Sequence, residues 1–451
     1  MRTPFNRTTL AFAAALAGAV AVTACGGGGD DPAPEPVAPA PIADRFPELA
    51  QAAPDPAFAT EYDRHIAASH RNTLGDEFML NTYRDYYCMY PEGNTALRNQ
   101  VRDGANTRVP LTQLFDDVWY IGSHHVGQYF FRSDEGFVLL DTLNNATEAQ
   151  TYTVPALSVL GLGATRPLKD VIVTHGHGDH DGGALELRTR YNPTITTGSA
   201  DAAGKAYAPN TIDSSNFEPV RMTMAGREVI LFSTPGHTPG SLSSIITAHD
   251  NGKPVKAVIV GGSAMPGNKA AADSYMHGVE RTYTLAKKEG VTASLQAHPV
   301  FDGTLRFMGE INENGLSKPS QLVIGQERIL QGLAILRQCS SANAAKVDAT
   351  TLYPVWRVSK LELPTGGPRV DDVSARVTNG WGPVANAAVT FTARPSGKSC
   401  TATTNEKGIA RCEQHEGDRF DAADTVTANF DGSDSTNYVD LPTTATAAMG
   451  K

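Results

Sequence analysis

The residues best equipped for chemistry are Thr174-His175-Gly176-His177-Gly178-Asp179-His180-Asp181-Gly182-Gly183. They follow directly on Val171–Val173, an apolar run that reads as a strand. In extended backbone, residues two apart point the same way, so His175 and His177 can grip one ion. The chain then turns on Gly178, and Asp179 with His180 can face a second ion beside the first. Imidazoles and a carboxylate suit zinc, and a catalytic zinc keeps one coordination position for water. Three histidines and an aspartate at this spacing read as ligands rather than as packing residues or a solvated loop.

His-x-His-x-Asp-His after a strand resembles the metallo-β-lactamase superfamily. Two later segments match further motifs of that family: Thr234-Pro-Gly-His237-Thr-Pro-Gly240-Ser241, and Ala297-His298-Pro299 after the short run Thr292–Ala297. The resemblance spans Val118 to Phe307. It implies an α/β fold, an αββα sandwich with two Zn2+ along one edge. The first zinc would take His175, His177 and His237, and the second Asp179, His180 and His298. Asp141, ending the strand Phe137–Leu140, matches a family aspartate that orients a metal-bound imidazole from behind. Two such ions would share a water and bring its pKa toward ~7, giving hydroxide for attack on a carbonyl. Asp179 is the catalytic residue of this scheme, both ligating and accepting a hydrogen bond from the nucleophile.

The stretch between the last two motifs narrows the class. No cysteine falls between His237 and His298, and neither Asp250 nor Asp273 is well placed to bridge two ions. The ligand set is therefore similar to that of the third metallo-β-lactamase subclass. Ser263-Ala-Met-Pro-Gly267 is similar to its Ser-x-Ser-Ala-Pro-Gly loop, and Ser263 is a candidate substrate contact. Gly262 and Ala264, however, stand where that subclass tends to carry substrate-facing serines, which leaves lactam recognition in doubt. His124, His125 and Gln128 lie in a turn expected to overhang the metals. They are candidate substrate contacts, although a solvated turn is the preferred reading. Tyr83, Tyr86, Tyr87 and Tyr90 around Cys88 read as a packing face, and His65, His70, His249, His277 and His415 as surface or packing residues.

The elements that must position these residues follow from periodicity. Apolar runs at Val118–Ile121, Phe137–Leu140, Val171–Val173, Val229–Phe232, Ile245–Thr247 and Val255–Val260 read as strands. Helical patterns lie near Glu48–Ala53, Phe58–Ser69, Thr147–Leu160, Gly183–Arg190, Ser274–Glu289 and Gln321–Cys339. Strands alternating with helices indicate a layered α/β domain. Leu363-Pro-Thr-Gly-Gly-Pro368 reads as a linker. Beyond it, Val373/Ala375/Val377, Ala387/Val389/Phe391 and Val426/Ala428/Phe430 alternate with period two, as in a small β-sandwich. That stretch resembles bacterial immunoglobulin-like modules.

With 451 residues, 41% hydrophobic and 19% charged, the chain has material for two or three globular domains. A balance of 38 basic and 48 acidic residues, net −10, argues against nucleic acid as a partner. Met1–Cys25 reads as a secretory signal whose end, Val22-Thr-Ala-Cys25, resembles a lipoprotein cleavage site with Cys25 acylated. Residues 26–43 suit a flexible tether. The Gly26 that follows favours the outer membrane, so the expected product is an exported periplasmic or cell-surface lipoprotein. Its disulfides would form in an oxidising space. Cys400 with Cys412 and Cys88 with Cys339 is the preferred pairing of three that sequence alone leaves open. The expected domains are 1–25 signal, 26–43 tether, 44–345 hydrolase with an N-terminal extension, and 366–447 sandwich. The expected function is a lipid-anchored dizinc hydrolase opening a cyclic amide or ester of a small-molecule substrate, β-lactams first. Lactones, thioesters and phosphate or sulfate esters are the alternative substrates. A surface adhesion or binding protein is the non-enzymatic alternative.

Overall fold

Along Phe137–Leu140 the side chains divide between two cores. Phe137 and Leu139 join Val171, Leu157 and Leu187, whereas Val138 and Leu140 join Ile172, Val229 and Ile259. The same alternation runs along Arg227–Ser233, where Val229 and Leu231 turn one way and Ile230 and Phe232 the other. Strands buried on both faces need cover on both faces, so two sheets stack with helices outside. The computed structural model describes residues 45–49, 54–89, 96, 97, 99, 101, 107–350, 352–412 and 419–450. The signal, Cys25, the 26–43 tether, Tyr90 and His415 lie outside the described residues.

The first sheet has seven strands in chain order: β1 (Arg108–Phe115), β2 (Val118–Ser123), β3 (Gly127–Arg132), β4 (Phe137–Leu140), β5 (Leu168–Ile172), β6 (Thr194–Gly198) and β7 (Asn210–Ile212). Neighbours are antiparallel through β4 and parallel from β4 onward. The second sheet has five: β8 (Val220–Met224), β9 (Arg227–Ser233), β10 (Leu242–Asp250), β11 (Lys253–Ile259) and β12 (Ala293–Ser294). The core containing Val138, Ile172, Leu231 and Ile259 fills the space between them. Val154–Val159 and Ala184–Tyr191 supply helical cover for the first sheet, and Lys269–Glu289 with Gln326–Val347 for the second. This is the αββα sandwich. Tyr83, Tyr86 and Tyr87 pack in the outer core of the second sheet. Cys88 there is bonded to Cys339.

The candidate site residues follow strand ends. Asp141 follows β4, His175 β5, His237 β9, Ser263 β11 and His298 β12. Loops at carboxyl ends of strands are where open α/β sheets place their ligands.

The C-terminal region is all β, its core built from Val373, Ala375, Val377, Val389, Phe391, Val426, Ala428 and Phe430. Cys400 is bonded to Cys412. The polypeptide enters these sheets earlier than the Leu363–Pro368 segment. Ser359–Glu362 pairs with Ser374–Asn379, and Val355–Arg357 pairs with Tyr438–Asp440. The supposed linker is therefore a turn within the C-terminal sheets. Glu48 and Leu49 are non-helical, against the helix expected from Glu48. Among the described residues no helix is long and apolar enough to cross a membrane.

Candidate metal centre

Thr174–Gly183 leaves β5 and turns at once into a short helix, Gly178–Asp181. The turn is held from behind by Thr142, whose N–H and hydroxyl both donate to the His180 carbonyl, at 2.7 and 2.9 Å. Gly182 and Gly183 allow this approach, since a β-carbon at either would collide with the Thr142–Asn144 backbone. His175 and His180 are buried, while His177 is exposed. The site thus opens to solvent on the His177 side.

Three nitrogens converge here. His237 Nε2 lies 3.1 Å from His175 Nε2 and 3.1 Å from His177 Nδ1, and the last two are 3.2 Å apart. Tetrahedral zinc with Zn–N distances of about 2.0–2.1 Å has ligand edges of about 3.3–3.4 Å. The triangle matches that cage closely. Beside it, His180 Nε2 lies 3.1 Å from His298 Nε2, and Asp179 Oδ2 is 3.4 and 3.6 Å from the two. The His175 and His180 rings, 4.0 Å apart, form the wall between the two groups. All six ligands expected from the sequence are brought together in these two groups.

Protonation favours cations. Burial first, then neighbouring imidazoles, holds His175 well below the ordinary histidine value and His298 at about 3. At these two residues lone pairs rather than protons face the centre, which is what a metal requires. At His180 burial opposes a charge, but Asp141 and Asp179 outweigh it and raise the imidazole to about 9, so a cation there displaces a proton. Burial resists ionisation of Asp179, but His180 outweighs it and keeps the carboxylate charged. The donor set fits two zinc ions.

The remote nitrogens fix the rings. His180 Nδ1 donates to Asp141 Oδ2 at 2.8 Å, His237 Nδ1 to the Ala264 carbonyl at 2.7 Å, and His298 Nδ1 to the His125 carbonyl at 2.7 Å. Such contacts set the tautomer and aim Nε2 at the metal. Asp141 has φ +60, an uncommon backbone for a non-glycine residue, and is fully buried. Its other contacts are the Thr174 N–H at 2.8 Å and hydroxyl at 3.0 Å.

Three structural roles were not legible from the motifs. Asp201, just after β6, joins two metal loops: Oδ2 accepts from Gly176 N–H (2.8 Å) and Thr238 Oγ1 (2.6 Å), and Oδ1 from Gly240 N–H (2.9 Å). Lys205 braces the first loop through the Gly176 carbonyl at 2.7 Å and Asp181 at 2.6 Å. Gly262, at φ +97, lies against His237 where a β-carbon would be 2.5 Å from the ring. Asp201 and Lys205 stand in no recognisable motif and their partners are distant in sequence, and Gly262 drew notice only for the serine it lacks.

The expected substrate contacts fare unevenly. Gln128 is wholly buried and donates to Thr153 Oγ1 at 2.7 Å, so it serves the core and not a substrate. Ser263 is also buried, at 7% exposure. His124 is half-buried on the β2–β3 turn. His125 is not a solvated turn residue: its ring lies 4.7 Å from that of His298, and its Nδ1 is buried.

The family model described as the metallo-beta-lactamase superfamily matches residues 126–253. The chain carries a metallo-β-lactamase superfamily domain. The matched span of that domain includes five of the six candidate ligands, His175, His177, Asp179, His180 and His237. The chain is 32% identical over 117 residues to a hydroxyacylglutathione hydrolase of Pseudomonas syringae, which is 25% of this chain and 42% of that protein. It is 32% identical over 72 residues to the corresponding enzyme of Klebsiella pneumoniae, 16% of this chain and 27% of the relative. The chain thus spans less than half the length of these relatives. Among solved structures, a subclass B3 metallo-β-lactamase of Bradyrhizobium japonicum is similar at 19% identity and TM-score 0.41, over 55% of this chain and 96% of that one.

Proposed function

We propose that the protein is an exported, lipid-anchored dizinc hydrolase that opens a cyclic amide or ester. The observation carrying this reading is the pair of adjacent donor groups, His175/His177/His237 and Asp179/His180/His298. Bound there, zinc supplies Lewis acidity and ionises water near neutral pH. The chain's own residues do the rest. Asp141, Ala264 and His125 hold the imidazole tautomers, and Asp179 offers a charged carboxylate to accept a hydrogen bond from the attacking water. Zinc held by His175, His177 and His237 alone would keep room for a water. Export and anchoring through Cys25 are part of the proposal, supported by the signal-like leader and by the two disulfides, which suit an oxidising compartment.

A thioester substrate is the second reading, favoured by one specific observation. Gly262 carries no side chain and Ser263 is buried, so the hydroxyls that would greet a lactam carboxylate are missing from this loop. The curated relatives are named for a thioester, hydroxyacylglutathione. A hydrolysis panel of nitrocefin, a hydroxyacylglutathione, an acyl-homoserine lactone and a phosphodiester separates these readings. Turnover of the first or third supports ring opening, and turnover of the second alone replaces it. No turnover by zinc-loaded protein counts against both.

A further inference from the structure

Within the second donor group, His298 comes from the loop after β12, whereas Asp179 and His180 both come from the turn after β5. The fit of the group therefore depends on where the His298 loop is held. Its two ends meet on one carboxylate. Asp302 Oδ2 accepts from Ser294 Oγ, at the end of β12, at 2.9 Å. Asp302 Oδ1 accepts from the N–H of Thr304, the first residue of the Thr304–Asn314 helix, at 3.0 Å. Residues 295–303, with His298 near their middle, are thus closed into a loop by a single side chain.

The same loop is clipped to the β2–β3 hairpin. Tyr129 Oη donates to the Gln296 carbonyl at 2.6 Å, Gly127 N–H to the Ala297 carbonyl at 2.9 Å, and His298 Nδ1 to the His125 carbonyl at 2.7 Å. Phe301 N–H donates to the His298 carbonyl at 3.1 Å, so the chain turns back directly after the ligand. Asp302 itself is 2% exposed. Burial pushes its carboxyl up to about 6, against hydrogen bonds from Thr304, Ser294 and the Gln296 N–H. A carboxylate buried this deeply is costly, and an apolar side chain would serve packing alone better. What the carboxylate adds is two acceptor oxygens, one for each end of the loop.

We propose that Asp302 is a positioning residue that acts through His298, closing residues 295–303 so that the His298 imidazole meets Asp179 and His180. The inference rests on the dizinc reading given above and adds to it a residue outside both donor groups. Its effect is confined to the second ion, because His175, His177 and His237 stand on other loops.

The test is calorimetric zinc titration of metal-free, full-length protein, with cobalt spectra as a second reading of coordination. Wild type takes two equivalents, and His298→Ala identifies which of them belongs to the second group. Asp302→Ala weakens that equivalent by at least about tenfold, as loss of an outer partner commonly does, and alters its cobalt spectrum. The other equivalent keeps wild-type affinity. Asp302→Asn, which keeps the volume and one acceptor oxygen, recovers part of the loss. Ser294→Ala leaves Asp302 in place and removes one donor, so it weakens the same equivalent at least about twofold, the low end of one hydrogen bond's contribution. If Asp302→Ala does not fold, as judged by circular dichroism, Ser294→Ala decides. Equal weakening of both equivalents, or wild-type affinities and cobalt spectrum in the folded variants, overturns the proposal while leaving the dizinc reading intact. Wild type that takes up no zinc overturns the dizinc reading, and this proposal with it.

Discussion

Gly262 and His237 touch through the side chain that Gly262 lacks: a β-carbon there would stand 2.5 Å from the imidazole, and φ is +97. The loop after β11 is therefore shaped to back a metal ligand. Restoring the serine found in the third metallo-β-lactamase subclass works against that role. Gly262→Ser meets both the steric contact and about 1–3 kcal/mol of backbone strain. First-site zinc affinity is expected to fall about ten- to hundredfold, measured by competition with a chromophoric chelator. Gain of nitrocefin turnover with undiminished zinc binding would refute this reading of the glycine.

Asp201 draws Gly176, Thr238 and Gly240 onto one carboxylate and so sets the spacing of the His175/His177 and His237 loops. Asp201→Ala is expected to weaken first-site zinc and turnover by about 10–100-fold, as outer partners of metal ligands commonly do. Dialysis against graded chelator reads the effect, with thermal melting as the control for folding. Wild-type zinc retention in a folded variant contradicts it.

Much of this centre could be read from the chain because its signals are local. A two-residue spacing after a strand marked His175 and His177 as neighbours, and glycine-flanked motifs marked His237 and the Asp179–His180 pair. Alternating apolar residues likewise marked Phe137–Leu140 and Val426/Ala428/Phe430 as buried strands. Asp201 and Lys205 stayed hidden because their importance lies in contacts with loops far along the chain. His125 was read as solvated because turns usually are, and only the placement of His298 against it reveals otherwise. Leu363–Pro368 read as a linker because proline and glycine mark a turn without telling what is paired on either side.

The C-terminal region is expected to support the fold of the hydrolase domain. Leu441 is buried in the core that holds Tyr283 and Leu333, and Trp356 and Val439 pack against it. Asn72 donates to the Trp356 carbonyl at 2.9 Å, and Arg357 is doubly bonded to the buried Asp440. Ending the chain at Asp348 removes several apolar groups, each contributing about 1.5–3 kcal/mol when fully buried. The truncated protein should melt well below wild type or fail to fold, by circular dichroism. An unchanged melting temperature excludes this supporting role.

His65 makes the Glu61–Arg71 helix sensitive to acid. Burial pushes its pKa down to about 3, against the partial relief of its 2.6 Å hydrogen bond to Gln338. Glu61, 4.0 Å away, does not offset the burial. The unfolded chain takes up this proton below about pH 6.5 while the folded chain does not, so stability falls as pH drops from 6.5 toward 3. The full effect is about 5 kcal/mol. His65→Gln should flatten the decline of melting temperature with acid, and parallel curves for variant and wild type would exclude it.

The central claim is that side chains from separate strand ends hold a pair of metal ions. Elemental analysis of purified, folded protein by inductively coupled plasma mass spectrometry tests it most directly. The expected result is close to two zinc per chain. Protein that holds no transition metal, and takes up none when zinc is added, contradicts the account.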